Sequence, residues 1–185
     1  MADTPITILG IVGSLRAASY NRKLLAACTD LVPEGATLTT FDLAEIPLYN
    51  EDVRALGYPA PVEALRAAIA SADALLFVSP EYNYSISGVL KNALDWASRP
   101  PTPPIAGKVA ATLGASPGAH GTVRGQNHLK EVLRGLGAMV VPRPEVYVGG
   151  VDKKFDEAGT LTDEATKKFV GELLNNLVTL ARKLR

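Results

Sequence analysis

The sequence predicts an α/β fold, a doubly wound, five-stranded parallel sheet with helices on both faces. Short apolar runs rich in β-branched residues alternate with segments whose apolar residues recur at helical spacing. Three of those runs, "ITILGIV", "ALLFVS" and "VAATLGAS", read as strands buried on both faces. Each of the three leaves into a Gly/Ser-rich loop. In such sheets ligands bind beyond the carboxyl ends of the strands, where the strand order reverses.

Taken in order, "ITILGIV" (6–12) is the first strand, and Leu24, Leu25, Cys28, Leu31 and Val32 mark the helix after it. "ATLTTFDL" is the second strand, followed by a turn-rich excursion through Pro47 and "YNEDVRALGYPAP". Val62, Leu65, Ile69 and Ala72 define the next helix, and "ALLFVS" (74–79) the third strand. "PEYNYSIS" reads as an aromatic loop, with a helix from about 88 to 98 behind it. "RPPTPPIAGK" is too proline-dense for regular structure and reads as a stiff connector. "VAATLGAS" is the fourth strand. Leu129, Val132, Leu133 and Leu136 give the helix behind it an i, i+3, i+4, i+7 face. "MVVPRPEVYVG" is the fifth strand, its prolines suiting an edge. The last helix carries Val170, Leu173, Leu177, Leu180 and Leu184; this spacing fits a coiled-coil seam, but over two heptads it fits better a helix packed on the sheet.

With 185 residues, 47% hydrophobic, and neither an internal repeat nor a boundary, residues 1–185 read as one domain. Nineteen basic residues balance nineteen acidic ones, so no broad positive field exists to draw in nucleic acid or an anionic membrane. A single cysteine, Cys28, excludes an internal disulfide framework and fits a reducing compartment; on its apolar stripe it reads as a small core residue. "MADTPITILG" lacks a signal peptide's positive start, and no run reaches the roughly 20 apolar residues of a membrane span. The expectation is a cytoplasmic protein.

The first loop, "GSLRAASYN" (13–21), lacks both the Lys-Ser/Thr ending of a P-loop and the G-x-G-x-x-G of a dinucleotide fingerprint. Ser14, Ser19 and Asn21 nevertheless offer donors, the N–H groups of the following helix point the same way, and Arg16 adds a charge-assisted fork. These describe a site for a terminal phosphate. An ordinary N-cap accounts for Ser19 or Asn21 alone, but not for Gly13, Ser14 and Arg16 beside them. In the second loop Tyr82 and Tyr84 stand at a sheet end where a planar ligand could lie, although two loop tyrosines by themselves equally suit packing.

The run Pro80, Glu81, Tyr82, Asn83, Ser85 and then Gly88 through Trp96 resembles the second signature of the NADPH-dependent FMN reductase family. Gly13 to Arg16 with Ser19, Tyr20 and Asn21 resembles the first, and Gly114 to Ser116 with Gly118, Gly121, Arg124 and Gln126 the third. The likeness covers roughly residues 6 to 150 and all three loops in order, and is closest to the flavodoxin-like branch of quinone, azo-dye and chromate reductases. It implies a strand order of 2-1-3-4-5 and a bound FMN. Its phosphate would lie on Ser14, Arg16, Ser19 and Asn21, with Tyr20 also among the cofactor-binding residues, and its ring beside Pro80, Glu81, Tyr82 and Asn83, chiefly their backbone, with Ser116 and Gly118 toward the far edge. It further implies ping-pong turnover, in which NADPH or NADH reduces the flavin and a quinone, azo or chromate acceptor reoxidises it, with no side chain as catalytic acid or base and no metal. A homodimer or homotetramer is implied as well, supported in this sequence only by the apolar Val89, Leu90, Leu94 and Trp96, the last reading as packing or a subunit contact. Arg124 and Glu145 read either as interface ion pairs or as solvated charges.

"GASPG" (114–118) imitates a nucleophile elbow, but Pro117 has no N–H to lend an oxyanion hole, and no acid lies between Ser116 and His128. His120 and His128 lack acidic or thiolate companions for a metal; His120 could border the flavin and His128 a helix face. The alternatives in another class are a flavodoxin-type electron carrier and a flavin-binding sensor. A carrier would be markedly acidic and would use a Thr/Ser-rich phosphate loop, whereas this chain is neutral and uses Arg16.

Overall fold

The computed structural model describes residues 4–185, so the first residues of "MADTPITILG" lie outside it. In chain order the elements are β1 (Ile6–Val12), α1 (Tyr20–Leu31), β2 (Ala36–Phe41), α2 (Glu51–Ala55), α3 (Ala60–Ser71) and β3 (Ala74–Val78). Then come β4 (Glu81–Tyr82), β5 (Ser85–Ile86), α4 (Gly88–Ala97), β6 (Val109–Ala115), α5 (Val123–Gly135), β7 (Met139–Val140), β8 (Val146–Val148) and α6 (Glu164–Leu184). The main sheet runs β2-β1-β3-β6 with every pair parallel, and both β7 and β8 pair with β6 at its far edge. Counting that edge as one interrupted strand, the order is the doubly wound 2-1-3-4-5.

All five residues of β3 and all seven of β6 are buried, which is why these runs are apolar without alternation. Each sheet face carries its own core. Leu24, Leu25 and Cys28 of α1 and Val170, Leu173, Leu174 and Leu177 of α6 cover one; α3, α4 and α5 cover the other through Leu65, Ile69, Leu94, Trp96 and Leu133. The α6 stripe packs on the sheet as expected, although Leu184, half exposed, is beyond it. Burial pushes the Cys28 thiol up to about 12, leaving it unreactive. Among the described residues no helix is long and apolar enough to cross a membrane.

Three local expectations are corrected. The fifth strand is two short pieces, because Pro142 and Pro144 have no N–H for a ladder; β7 pairs with the start of β6 and β8 with its end. The excursion contains a helix, α2, capped where the Asn50 side chain accepts the Asp52 N–H at 2.8 Å; with no buried residue, it leaves no apolar period to read. "PEYNYSIS" contains the β4–β5 hairpin, turned by Asn83 (φ 49°) and Tyr84 (φ 66°), where glycine would be the usual second residue.

The interface reading of the 88–98 helix also changes. Leu90, Leu94 and Trp96 are buried within the chain, so they offer no surface to a second copy. Trp96 Nε1 donates to the Pro47 carbonyl at 2.8 Å and meets Tyr49 edge-on at 4.9 Å, which fastens the excursion onto α4.

Candidate functional site

Three loops meet beyond the carboxyl ends of β1, β3 and β6 and enclose a cavity of about 320 Å³. Ser14, Arg16, Ser19, Tyr20 and Asn21 line it from the first loop, Pro80, Glu81 and Tyr82 from the second, and Ser116 with Ala115 and Pro117 from the third. Of the expected residues only Asn83 and Gly118 stand off the lining, Asn83 at the tip of the hairpin and Gly118 with its N–H donated to Ser116 Oγ at 3.2 Å.

Close packing of small residues brings these loops together. An added Cβ at Gly114 would sit 2.2 Å from the Ser79 carbonyl, and one at Gly13 within 3 Å of the Ser79 and Ser87 hydroxyls. Glycine is therefore required where β6 and β1 pass the end of β3.

Among the described residues, no backbone N–H from Ser14 to Ala18 donates to another protein group, and neither does that of Tyr20. Six amide donors in and beside one loop are thus left for something else, at the N-terminus of a twelve-residue helix with no acidic residue in its first turn. Ser14 and Ser19 are buried beside them. Ser19 Oγ caps α1 by accepting the Asn21 N–H at 3.2 Å, which leaves its own hydrogen free to donate. Arg16 is exposed, its Nη2 resting on the Ala18 carbonyl at 3.0 Å. Buried hydroxyls, a run of amides and one exposed guanidinium make a donor set chemically suited to an anion such as a phosphate monoester.

Asn21 ties two loops together. Its side-chain carbonyl accepts the Ala115 N–H at 2.8 Å and its amide donates to the Ala115 carbonyl at 3.0 Å, clasping the first loop to the third and leaving one amide hydrogen to spare. Glu81 has a similar duty. Its Oε2 accepts the N–H groups of Arg124 and Gly125, both at 2.9 Å, capping α5 where the N-cap residue Thr122 makes no cap bond of its own. Half-exposed Tyr82 presents an aromatic face to the opening.

Arg124 is not among the lining residues; its guanidinium lies 4.5 Å over the Tyr84 ring and 3.9 Å from the Glu81 carboxylate, and Glu145 pairs with the largely buried Lys130. Both therefore have partners within the chain. His120 is exposed, and His128 Nδ1 lies 3.1 Å from the Ser85 hydroxyl on the α5 surface. Among the described residues no three His, Cys, Asp or Glu side chains gather as a metal would require. One residue that the loop pattern did not reveal is Arg22, whose Nε donates to the Ser14 carbonyl at 3.1 Å. It lies outside the small-residue stretch, and only the fold brings it back.

The comparisons with known proteins agree with this architecture. The NADPH-dependent FMN reductase family profile matches residues 6–153. An NAD(P)H-dependent FMN reductase of Pseudomonas aeruginosa is 49% identical over 180 residues, covering 97% of both chains. An NAD(P)H:quinone oxidoreductase of Solanum tuberosum is 43% identical over 192 residues, covering 100% of this chain and 98% of its own. Among solved structures, the flavoenzyme NAD(P)H:(acceptor) oxidoreductase FerB of Paracoccus denitrificans superposes with a TM-score of 0.89 at 35% identity, over 96% of this chain and 98% of its own. The chain belongs to the NADPH-dependent FMN reductase family.

Proposed function

We propose that the protein holds FMN in this cavity and uses it to pass two electrons from NADPH or NADH to a quinone-type acceptor. The observation that carries the reading is the run of unpartnered amides from Ser14 to Ala18 beside Arg16, Ser14 and Ser19, a donor set that suits the terminal phosphate of FMN. When bound, the flavin supplies the hydride and two-electron chemistry. Pro80 to Asn83 would border the ring, with the half-exposed Tyr82 at the open side where nicotinamide and acceptor take turns in a ping-pong cycle. Ser116, half-buried on the opposite wall, keeps a hydroxyl hydrogen to offer, since its oxygen already accepts from Gly118. An open aromatic face sets no strict limit on acceptor shape, so azo dyes and chromate belong to the proposed range alongside quinones.

The test is an absorbance spectrum of the purified protein reconstituted with FMN, before and after anaerobic NADPH or NADH, followed by addition of a benzoquinone. Flavin bands that bleach with the nicotinamide and return with the quinone are the expected result. Bound FMN that neither nucleotide reduces would favour an electron carrier or sensor, and failure to take up FMN would defeat the reading altogether.

A further inference from the structure

Arg22 stands in the first turn of α1, off the cavity, and its guanidinium spans a gap. Nε donates to the Ser14 carbonyl at 3.1 Å and Nη2 pairs with Asp42, just past the end of β2, at 3.0 Å. Asp42 is itself held, since its Oδ1 accepts the Ala44 N–H at 2.9 Å. That bond, and after it the Arg22 guanidinium, outweigh partial burial and keep the Asp42 carboxyl below the usual carboxylate range, so it stays ionised at neutral pH. A chain of contacts thus runs from the main chain beyond β2, through two side chains, to one carbonyl of the phosphate loop.

That carbonyl matters because a peptide is planar and trans, so the Ser14 C=O and the Leu15 N–H point in opposite directions. Arg22 and Asp42 lie against Val12 and Thr40 in a hollow on the β2 side of the loop, whereas Ser14 and Arg16 face the cavity. Drawing the carbonyl to the β2 side turns the Leu15 N–H the other way, among the unpartnered donors of the loop. A loop that accepts an anion gains from each N–H it presents and loses from each carbonyl left facing the charge.

We infer that Arg22, anchored by Asp42, is a positioning residue for FMN: it holds the Ser14–Leu15 peptide in its anion-accepting orientation without touching the ligand. The inference rests on the flavin reading above. It makes a prediction that a purely electrostatic role would reverse. If Arg22 acted only as a nearby positive charge, neutralising Asp42 would strengthen phosphate binding; if Arg22 is a brace, loosening its anchor weakens binding.

The experiment titrates apoprotein with FMN and with riboflavin, which lacks the phosphate, by flavin fluorescence. For Arg22→Ala the FMN Kd rises about tenfold while the riboflavin Kd stays within about twofold, the loss expected for one charge-assisted hydrogen bond. For Asp42→Asn, in which the guanidinium keeps a weaker anchor, the FMN Kd rises about threefold. Tighter FMN binding by Asp42→Asn would overturn the inference, as would an Arg22→Ala variant unchanged toward FMN or equally impaired toward both flavins. Should Arg22→Ala not fold, the sign of the Asp42→Asn effect decides. Wild-type apoprotein that binds neither flavin would remove the flavin reading instead.

Discussion

The two ends of the same strands make opposite use of their polar groups. At the amino end, Asp73 accepts the Thr7 N–H at 2.8 Å and the Thr7 hydroxyl at 2.9 Å, Lys108 donates to the Ala70 and Ala72 carbonyls at the carboxyl end of α3, and Arg185 donates to the Thr4 carbonyl at 3.1 Å. At the carboxyl end a run of amides goes without partners, and two non-glycine residues, Asn83 and Tyr84, take left-handed backbone angles. Hollow size does not separate the two, since Asp73, Lys108 and Arg185 border one of about 300 Å³ and the three loops enclose one of about 320 Å³. What differs is whether the donors are already used. A closed end lends stability, and an end with donors to spare can bind.

The most severe way to break this contrast is Gly114→Ala. Its Cβ would meet backbone at 2.2 Å, so the ends of β3 and β6 must part, and a loss of about 3 kcal/mol in unfolding free energy is expected, with flavin affinity falling alongside. Denaturant unfolding of the apoprotein measures it, and a neutral substitution would show that the loops are not held by close packing. Next in size, Arg16→Ala removes an exposed donor from the open end. It should leave the melting temperature unchanged while weakening FMN by about 2 kcal/mol, roughly thirtyfold in Kd; unaltered affinity would remove Arg16 from the phosphate site.

The smallest effect belongs to the closed end. Partial burial would raise the Asp73 carboxyl, but the Thr7 N–H and hydroxyl, with Arg185 and Lys108 nearby, outweigh it and hold it below the ordinary value. Because the folded state lowers this pKa, the stabilisation is present above the unfolded value of about 4 and disappears as pH falls through the folded one. Asp73→Asn should therefore cost about 1 kcal/mol at neutral pH and less in acid, with flavin affinity untouched at either. A melting-temperature difference from wild type that does not narrow between neutral and acidic pH would contradict this assignment.

Sequence reading reached the strands and packed helices because their signal is local. A run such as Ala74–Val78 is apolar on both sides because both of its faces are covered, and α6 carries its apolar stripe because one side lies on the sheet. It failed where the local signal is missing. The helix at Glu51–Ala55 buries nothing, and the Asn83–Tyr84 turn uses a tyrosine where the pattern leads one to expect glycine. Within the site it found the loops and most of the lining, but not what each side chain does. Asn21 and Glu81 line the cavity as the signatures imply, but nothing in the signatures shows that their side chains also clasp Ala115 and cap α5.

By itself, then, the sequence determined the alternation of strands and helices, the parallel sheet, and which three loops gather at one cavity beyond the strand ends, since burial and turn chemistry imprint themselves on neighbouring residues. Tertiary structure alone decided which donors remain free. Asn21 meets Ala115 across 94 positions, Glu81 meets Arg124 across 43, and Arg22 reaches Asp42 across 20 while turning back to Ser14. A hydrogen bond satisfies a group only through the partner that folding brings to it, and no local pattern of residue types records that meeting.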